Sequence, residues 1–499
     1  MLTHVANRDS SASAEPAPTE AVPTEATASS TAFFWAASFW PRVREFAVPA
    51  AMIETATARR HAGDWAGACA AAAVDVDLDL RAVRRTHGRE LAARVRADLR
   101  LLAPDLLRWH LPRIAPDGLL RPGLTIALAR YAGTGHGRAS PLHLVVRTPP
   151  AWADAGQRIS LALWDGTPAA AWPHPHPHPN RLFRLDLHRH LWDAGRSDEL
   201  RGRCGADRPP AVPAHHLGHG WAVDRWAAEA RVLLAAEGRQ HGSVLVRLGA
   251  RRRLILDLAA AGPGAVAAGS PPTATLRDAP PRTGDPGGAL PVLPDAAARE
   301  LPDLALLRSG LVDPDRLHPL VAAALLPDRP PTAPGASLAT SLAAFPDRGG
   351  RPWLVECRGE QHRIGLVDGV LAPLDHDPAE LRREELLVAL TGTPLPCLQV
   401  VDRAHRHPAG LDGIRERLNH GDTAGALAAV EDLLGPDALL RGGVLRDEIE
   451  AAVQRRLSHE RYREGLGGPA PAPATDRRSR RVPRRSLNHR GHPRNAGGR

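Results

Sequence analysis

Lysine is absent from this 499-residue sequence, so each of its 64 basic residues is an arginine. Methionine and tyrosine occur twice each, whereas proline and glycine occur 48 and 45 times. Such frequent proline and glycine indicate long irregular segments between the folded parts. No apolar run reaches the length of about 20 residues that a transmembrane helix needs. The N-terminus also lacks the basic start and cleavage site of a secretory signal.

Cysteine is scarce and widely spaced. The four cysteines are Cys69, Cys204, Cys357 and Cys397, and no two of them form a C-x-x-C pair. This spacing favours buried thiols in a reducing compartment over a disulfide framework or a zinc cage. Together with the missing secretory signal, it predicts a cytoplasmic protein.

Common catalytic signatures are missing as well. The sequence contains no G-x-S-x-G elbow, no H-E-x-x-H helix and no P-loop. The glycine-rich residues 133–137 follow a predicted strand, but Pro141 and another strand come next, so a hairpin loop is predicted instead of a phosphate site. Cys357 precedes His362 by five positions, and the two could meet across a hairpin. A thiol in an apolar strand is nevertheless usually a core residue.

The net charge of +9 is concentrated at the C-terminus. Residues 476–499 contain nine arginines and one aspartate, so the rest of the chain is close to neutral. Dense arginine attracts nucleic acid or an anionic surface through counterion release, whatever the partner's sequence. No aromatic residues are interleaved for base stacking, so specific recognition is not expected. The residues expected to make the contact are Arg477, Arg478, Arg480, Arg481, Arg484 and Arg485.

A nine-residue segment occurs twice, 358 positions apart. Residues 63–71 are GDWAGACAA and residues 421–429 are GDTAGALAA, and seven of the nine positions are identical. In each copy an aspartate, Asp64 or Asp422, stands at the predicted N-cap of an alanine-rich helix. Its carboxylate can accept hydrogen bonds from the first free amides there.

Each copy also contains a second predicted helix at the same offset. Its apolar residues recur at helical spacing and form one stripe. The stripe residues are Leu91, Val95 and Leu99 in the first copy and Ile449, Val453 and Leu457 in the second. The Gly-Asp-x-x-Gly-Ala opening resembles the start of the first helix in tetratricopeptide units. Those units repeat in tandem about every 34 residues, so this spacing predicts two separate helical units, used for packing or for binding a peptide.

The overall pattern predicts an α+β fold with antiparallel strand groups and two related helical hairpins near the ends. Period-two alternation predicts a meander at 124–131, 142–147 and 159–164. It also predicts two hairpins, near 244–258 and 353–367. The predicted organisation is a disordered extension at 1–44, a lobe at 45–258, an Ala/Gly/Pro linker at 259–300, a second lobe at 301–465 and a disordered tail at 466–499.

The best metal-binding pattern is Asp186-x-His188-x-His190, in a segment (182–191) that alternates as a strand. Alternate side chains of a strand point the same way, so a carboxylate and two imidazoles would converge, as a divalent metal requires. Arg184 would share that face and repel a cation. With 24 histidines in the chain, a chance His-x-His is also expected. Residues 375–377 (Asp-His-Asp) are a weaker candidate.

These patterns favour a non-enzymatic interaction or scaffold protein. Its helical units are expected to bind a protein partner, the arginine-rich tail to add attachment to nucleic acid, and no cofactor is expected. The alternative is a metal-dependent hydrolase that uses Asp186, His188 and His190. Convergence of these side chains in a pocket would favour the hydrolase, and exposed apolar surface beside the helical units would favour the scaffold.

Overall fold

The computed structural model describes residues 2–4, 39–115, 117–132, 141–166, 174–208, 217, 220–249, 252–259, 274–280, 290–329, 353–357, 359–367, 370–377, 379–383, 396–398, 411–434, 439–440 and 442–466. These residues form an α+β fold with three hydrophobic cores, in agreement with the predicted class. No helix in these ranges is both long and apolar enough to cross a membrane. Within the predicted N-terminal extension 1–44, Leu2–His4 form strand β1 and residues 39–44 are helical.

The first core lies between a four-stranded sheet and a set of helices. The helices are α1 (Ala50–His61), α2 (Trp65–Ala71), α3 (Leu80–His87), α4 (Arg89–Leu101), α5 (Pro104–His110) and α6 (Leu200–Cys204). The strands are β2 (Val74–Asp77), the short pair β3 (Arg113–Ile114) and β4 (Leu119–Leu120), β5 (Thr125–Tyr131), β6 (Leu142–Arg147) and β7 (Ile159–Trp164). Strands β5, β6 and β7 form the predicted antiparallel meander, and β2 joins β7 in parallel.

The second core lies between helix α7 (Val223–Ala236) and a sheet of order β1-β10-β9-β8. The remaining elements are β8 (Gly242–Leu248), β9 (Arg252–Leu258), β10 (Ala274–Asp278) and helix α8 (Asp295–Ala298). Strand β10 and helix α8 lie inside residues 259–300, so the prediction of a linker for that segment differs from the structure. Ala274 and Leu276 alternate with polar residues, and this short period-two pattern buries them in the second core.

The prediction that a second lobe begins at residue 301 also differs from the packing of residues 302–325. Helices α9 (Pro302–Arg308) and α10 (Pro319–Leu325) contribute to the first core, not to a C-terminal lobe. Buried Asp303 of α9 accepts hydrogen bonds from Nε and Nη2 of Arg44 at 2.7 and 2.8 Å. It also accepts a hydrogen bond from Nε1 of Trp109 at 3.1 Å. A buried carboxylate needs such partners, so α9 is fixed to the N-terminal lobe.

The third core joins a three-stranded antiparallel sheet to the second helical unit. The strands, in sheet order, are β11 (Trp353–Cys357), β12 (Glu360–Val367) and β13 (Val370–Pro373). The helices are α11 (Leu411–His420), α12 (Thr423–Leu434) and α13 (Val444–Arg463). Buried apolar side chains from all three helices meet Cys357, Ile364 and Cys397 in this core.

The repeated segment forms the same helix–turn–helix junction in both copies, between α1 and α2 and between α11 and α12. The Asp64 carboxylate accepts from the Gly67 amide at 2.8 Å, and the Asp422 carboxylate accepts from the Gly425 amide at 2.9 Å. This is N-cap geometry in each case. The glycine before each aspartate has a positive φ, 76° in the first copy and 86° in the second, a conformation that glycine adopts without steric cost.

The second helical unit docks on the N-terminal lobe. Gly421 approaches so closely that a Cβ atom there would overlap the carbonyl oxygen of Gly156. At the far end of α13, Arg463 forms an ion pair with Asp77 of β2. Nδ1 of His459 lies 3.0 Å from the carbonyl oxygen of Ala153. The lobes are thus joined through α13 and through the junction that begins α12.

Candidate metal centre

Four side chains with metal-ligating atoms converge in the third core. Cys357, His362, His376 and Cys397 each offer one sulfur or nitrogen atom, and these atoms all lie within 4.8 Å of one another. Among the residues that the structure describes, no other group of three or more His, Cys, Asp or Glu side chains has this geometry. Three segments supply the four residues: the β11–β12 hairpin, the turn after β13 and the helical residues 396–398.

The β11–β12 hairpin places two of the side chains on one face. Cys357 ends β11, and His362 lies directly opposite Val355 in the strand register. Alternate residues of a strand share a face, so Val355, Cys357 and His362 point the same way. Ile364 continues this face and is buried in the third core with Cys357. The hairpin therefore presents a thiol and an imidazole towards the second helical unit.

Hydrogen bonds on both sides of His376 fix its backbone. Asp375 forms an ion pair with Arg363 of β12 at 2.7 Å, and this hydrogen bond lowers the pKa of the Asp375 carboxyl to about 2. The Asp377 carboxylate accepts from the Ala379 amide at 2.8 Å. The two carboxylates of the Asp-His-Asp segment are thus engaged by the protein, and its histidine is the residue that reaches the centre.

The imidazole of His376 is oriented as a metal ligand. Its Nε2 lies 2.8 Å from Nδ1 of His362, and its Nδ1 lies 3.5 Å from the carboxylate of Glu380. A carboxylate at the outer nitrogen is the arrangement that fixes the tautomer of metal-bound histidines and raises their basicity. Nδ1 of His362 in turn lies 3.9 Å from Sγ of Cys397. Both histidines therefore direct a nitrogen towards the thiols.

Both thiols of the centre are fully buried. Burial, followed by the hydrogen bond and the charge of Cys357, raises the pKa of the Cys397 thiol to about 12. A thiol with this pKa stays protonated at neutral pH, whereas a cation in direct contact with the sulfur favours the thiolate. Ligand deprotonation and metal binding are therefore coupled at this centre.

The donor set and its spacing fit a tetrahedral zinc ion. Zinc binds Cys sulfur at about 2.3 Å and His nitrogen at about 2.0–2.1 Å, which places neighbouring ligand atoms roughly 3.3–3.8 Å apart. The 2.8 Å between His362 Nδ1 and His376 Nε2 is shorter than this range, the 3.9 Å between His362 Nδ1 and Cys397 Sγ is close to its upper end, and all four atoms lie within 4.8 Å of one another. Two thiolates with two imidazoles also suit Zn²⁺ and not the hard cations Mg²⁺ or Ca²⁺.

Parts of this centre are visible in the sequence, but the complete set is not. Cys357 with His362 stands out as a thiol–imidazole pair, and residues 375–377 stand out as a weak metal candidate. The missing ligand is Cys397, forty positions after Cys357, which no local spacing rule connects to the hairpin. The expectation of buried thiols considered only C-x-x-C pairs for a zinc site, and a cluster with thiols from distant segments lies outside that rule. The sequence pattern that indicates this cluster is C-x₄-H in a predicted hairpin, followed later in the chain by another histidine and another cysteine.

The residues Asp186, His188 and His190 do not form a strand. Residues Leu185–Leu187 and Arg189–Leu191 are short 3-10 turns, so the strand prediction for 182–191 is wrong. The backbone amides of Leu187 and His188 bond to carbonyls three residues earlier, so turn hydrogen bonds take the place of strand pairing. Arg184 also binds the Asp186 carboxylate through Nε and Nη2 at 2.8 Å each. The alternation that predicts one shared face therefore does not apply.

The structure does not bring these three side chains into one group of ligands. His188 lies 3.2 Å from the buried Glu229 carboxylate. Burial opposes ionisation of Glu229, but hydrogen bonds from His188 and Arg203 lower its pKa. Burial lowers the pKa of His190 well below its ordinary value, so this imidazole stays neutral. Each member of the trio is therefore held by the protein interior.

Several predicted features lie outside the described residues. They are the six arginines of the tail (Arg477, Arg478, Arg480, Arg481, Arg484 and Arg485), the glycine-rich segment 133–137 and most of the N-terminal extension. No protein-family model matches the sequence, and comparisons with curated proteins and with solved structures find no significant match either. Functional conclusions therefore depend on the chemistry of the site itself.

Proposed function

We propose that this chain is a non-enzymatic interaction protein whose C-terminal part is stabilised by one structural Zn²⁺ ion. The observation that carries the proposal is the closed set of four protein ligands, Cys357, His362, His376 and Cys397. Catalytic zinc sites keep one position open for water or substrate, whereas structural sites use four protein ligands. A metal here would hold three chain segments together and would not act on a substrate.

The small size of the third core supports a structural role for the metal. Among the residues that the structure describes, it contains nine buried residues, against 42 in the first core, and two of the nine are the cysteines of the centre. A core of this size supplies little stability, and small modules commonly add a metal or disulfides to compensate. The centre links the β11–β13 sheet to Cys397, which packs with α11 and α12 in this core.

The surface of the second helical unit supports a partner-binding role. Val453 and Leu457 lie one turn apart on α13 and are 52% and 46% exposed, and Leu427 of α12 is 47% exposed. Ion pairs flank the α13 residues, between Arg446 and Glu450 and between Arg456 and Glu460. An apolar stripe bordered by charges suits a protein partner that covers the stripe and pairs with its rim.

Two further parts of the proposal concern the tail and the location. The arginine-rich tail would add sequence-independent attachment to nucleic acid or another polyanion. The four cysteines are free and buried, which agrees with a reducing compartment such as the cytoplasm.

The metal content of the purified full-length chain tests the proposal. We expect about one Zn²⁺ per chain by elemental analysis, and loss of the ion in Cys397→Ser and His376→Gln. Cys204→Ala is the matched control, because Cys204 is also buried but lies in the first core, and it should retain the metal. Absence of bound metal in the unmodified chain, or its retention in Cys397→Ser, would refute the structural-zinc proposal.

The partner-binding role needs a separate test. A tagged full-length chain is compared in nuclease-treated native lysate with Val453→Asp/Leu457→Asp and with a chain that ends at Gly468. A stoichiometric protein lost from the double variant but retained by the shortened chain supports binding through α13. Ala451→Asp, which introduces the same charge at an exposed position on another side of α13, is the control. A partner lost only with the tail would instead indicate electrostatic attachment.

A further inference from the structure

A cavity of about 460 Å³ lies in the N-terminal lobe, away from the metal centre. Helix α4, strand β5, the 3-10 turns at 185–191 and the end of α7 surround it. The polar residues of its wall are Arg94, Asp98, Arg130, Tyr131, Arg184, Asp186 and Arg189. The volume falls in the range of small-molecule sites, about 300–1,000 Å³, so the cavity is large enough for a ligand of a few to some tens of atoms.

The two carboxylates of the cavity wall are already bound by the protein. Asp98 accepts a hydrogen bond from the Tyr131 hydroxyl at 2.7 Å and one from Arg189 at 2.5 Å. Asp186 is held by Arg184. Burial, followed by the charge of Asp98, raises the pKa of the Tyr131 hydroxyl, which keeps this donor protonated. Within the described part of the chain, no ion pair involves Arg94 or Arg130, the other two arginines of the wall.

The guanidinium of Arg94 lacks acceptors that comparable arginines of this chain possess. Its Nε and Nη2 atoms are buried and have no hydrogen-bond partner among the described residues. These two atoms form the edge of the guanidinium that binds carboxylates through two parallel bonds. In Arg44 the same two atoms bind Asp303 at 2.7 and 2.8 Å, and in Arg203 they bind Glu229 at 2.8 and 2.7 Å.

Arg94 is the one described arginine in which both atoms of this edge are buried without a partner. Leaving a buried charged donor unpaired is unfavourable, and buried polar groups in folded proteins nearly always have a partner. None of the residues that the structure describes supplies one, and Arg94 lines a cavity. The missing acceptor is therefore best supplied by a ligand that enters the cavity, whose wall includes Arg94.

We propose that this cavity binds a small anion through a carboxylate or phosphate group held by Arg94. Two oxygens of the anion accept the hydrogen bonds of Nε and Nη2, as the Asp303 and Glu229 carboxylates do at the other arginines. Arg130, on the neighbouring strand, supplies a second positive charge. The cavity shares no residue with the metal centre or with the exposed stripe of α13, so the inference goes beyond the proposed function and does not depend on it.

Calorimetric titration of the full-length chain at low ionic strength tests the proposal, with inorganic phosphate and succinate as separate probes. We expect saturable binding of at least one of them. Arg94→Gln should weaken it roughly ten- to a hundredfold, because a charged hydrogen-bonded pair is lost. Arg94→Lys should restore only part of the affinity, because lysine keeps the charge but not the two parallel donors.

Arg96→Gln is the matched control, since Arg96 is an exposed residue of the same helix, and its affinity should equal that of the unmodified chain. Arg130→Gln provides a second test if Arg94→Gln fails to fold, and it should also weaken binding. The relative affinities of phosphate and succinate identify the class of anion. Absence of saturable binding for both probes, or equal losses in the Arg94 and Arg96 variants, would overturn the proposal.

Discussion

The two helical units begin with the same capped junction but bury their second helices to very different extents. In the first unit Val95 and Leu99 of α4 are completely buried in the first core, whereas at the equivalent positions of α13 Val453 and Leu457 are about half exposed. The first unit is covered by the meander and by the chain that follows it. The second unit is covered on one side by a small sheet and by the proposed metal centre. Similar local sequences thus form similar junctions, and the surrounding chain decides which side chains become core.

The comparison indicates that the two units are stabilised by different means. The first relies on apolar burial, which grows with the size of the core. The second has a small core in which a metal would replace part of the missing burial. The following predictions test whether apolar burial stabilises the first unit and metal binding the second, beginning with the largest expected effect.

Removal of the metal should affect the second unit alone. With a strong chelator, or in Cys397→Ser, we expect the free energy of opening of α11–α13 and of the β11–β13 sheet to fall by about 5 kcal/mol or more. The reason is that the binding free energy of a structural zinc contributes directly to the free energy of folding. Helices α1–α5 should be unchanged. Hydrogen exchange measured by mass spectrometry separates the two regions, and equal protection of both regions after chelation would contradict the prediction.

Shortening the equivalent leucines should have unequal effects. Leu99→Ala should lower the free energy of unfolding by about 3 kcal/mol, because it leaves a cavity in a closely packed core. Leu457→Ala should change it by about 0.5 kcal/mol or less, because its side chain is half exposed. Urea unfolding of the two variants checks this, and similar losses would mean that Leu457 is covered in solution, for example by a second copy of the chain.

Alkaline pH should destabilise the first unit through Cys69. Burial, followed by the charge of Asp64, raises the pKa of this thiol to about 12, above its unfolded value of about 8.5. A group with a raised pKa contributes its full stability below the unfolded pKa and loses it as pH rises towards the folded pKa.

Between pH 9 and 11 this loss should reach about 2 kcal/mol. Cys69→Ala removes the titrating group, so its stability should fall less steeply over the same range. Urea unfolding at several pH values measures both slopes, and identical slopes would show that the thiol does not titrate in this way. The thiols of a zinc-bound centre would not contribute to the slope, because they are already thiolates.

Removal of the helix caps should have a small effect of similar size in the two units. Asp64→Ala and Asp422→Ala should each lower the free energy of unfolding by about 1 kcal/mol, because each removes one hydrogen bond to a free helix amide. Each aspartate also pairs with an arginine, Asp422 with Arg417 at 2.7 Å and Asp64 with Arg59 at 3.3 Å. The Asp422 pair is shorter and less exposed, so Asp422→Ala should have the larger effect. Thermal unfolding provides the measurement, and a larger loss for Asp64→Ala would contradict this order.

The parts of the fold that follow local patterns could be predicted from the sequence. The meander β5–β7 follows from period-two alternation, and the helix starts follow from Asp64 and Asp422 beside alanine-rich segments. The candidate metal centre could not be predicted in this way. Its four side chains come from three segments, and Cys397 is placed by long-range packing. The same limit applies to Val453 and Leu457, because periodicity shows that they share a face but not whether another element covers it.

The prediction for Asp186, His188 and His190 failed for a different physical reason. Alternation along a strand assumes an extended backbone, whereas the amides here bond to carbonyls three residues earlier in two short 3-10 turns. These turns bury Leu185 and Leu191 in the first core, and such tertiary packing is not part of a spacing rule. The Asp186 carboxylate is in addition bound by Arg184.

The glycines of the two junctions show how the same residue can become subject to different evolutionary constraints. At Gly63 an added Cβ would meet no atom within 4 Å, so only the positive φ disfavours replacement. Asparagine, which tolerates that conformation, is an acceptable substitute there. At Gly421 the backbone of Gly156 leaves no room for any side chain. Substitution is therefore tolerated at position 63 and sterically excluded at position 421, although both residues are glycine.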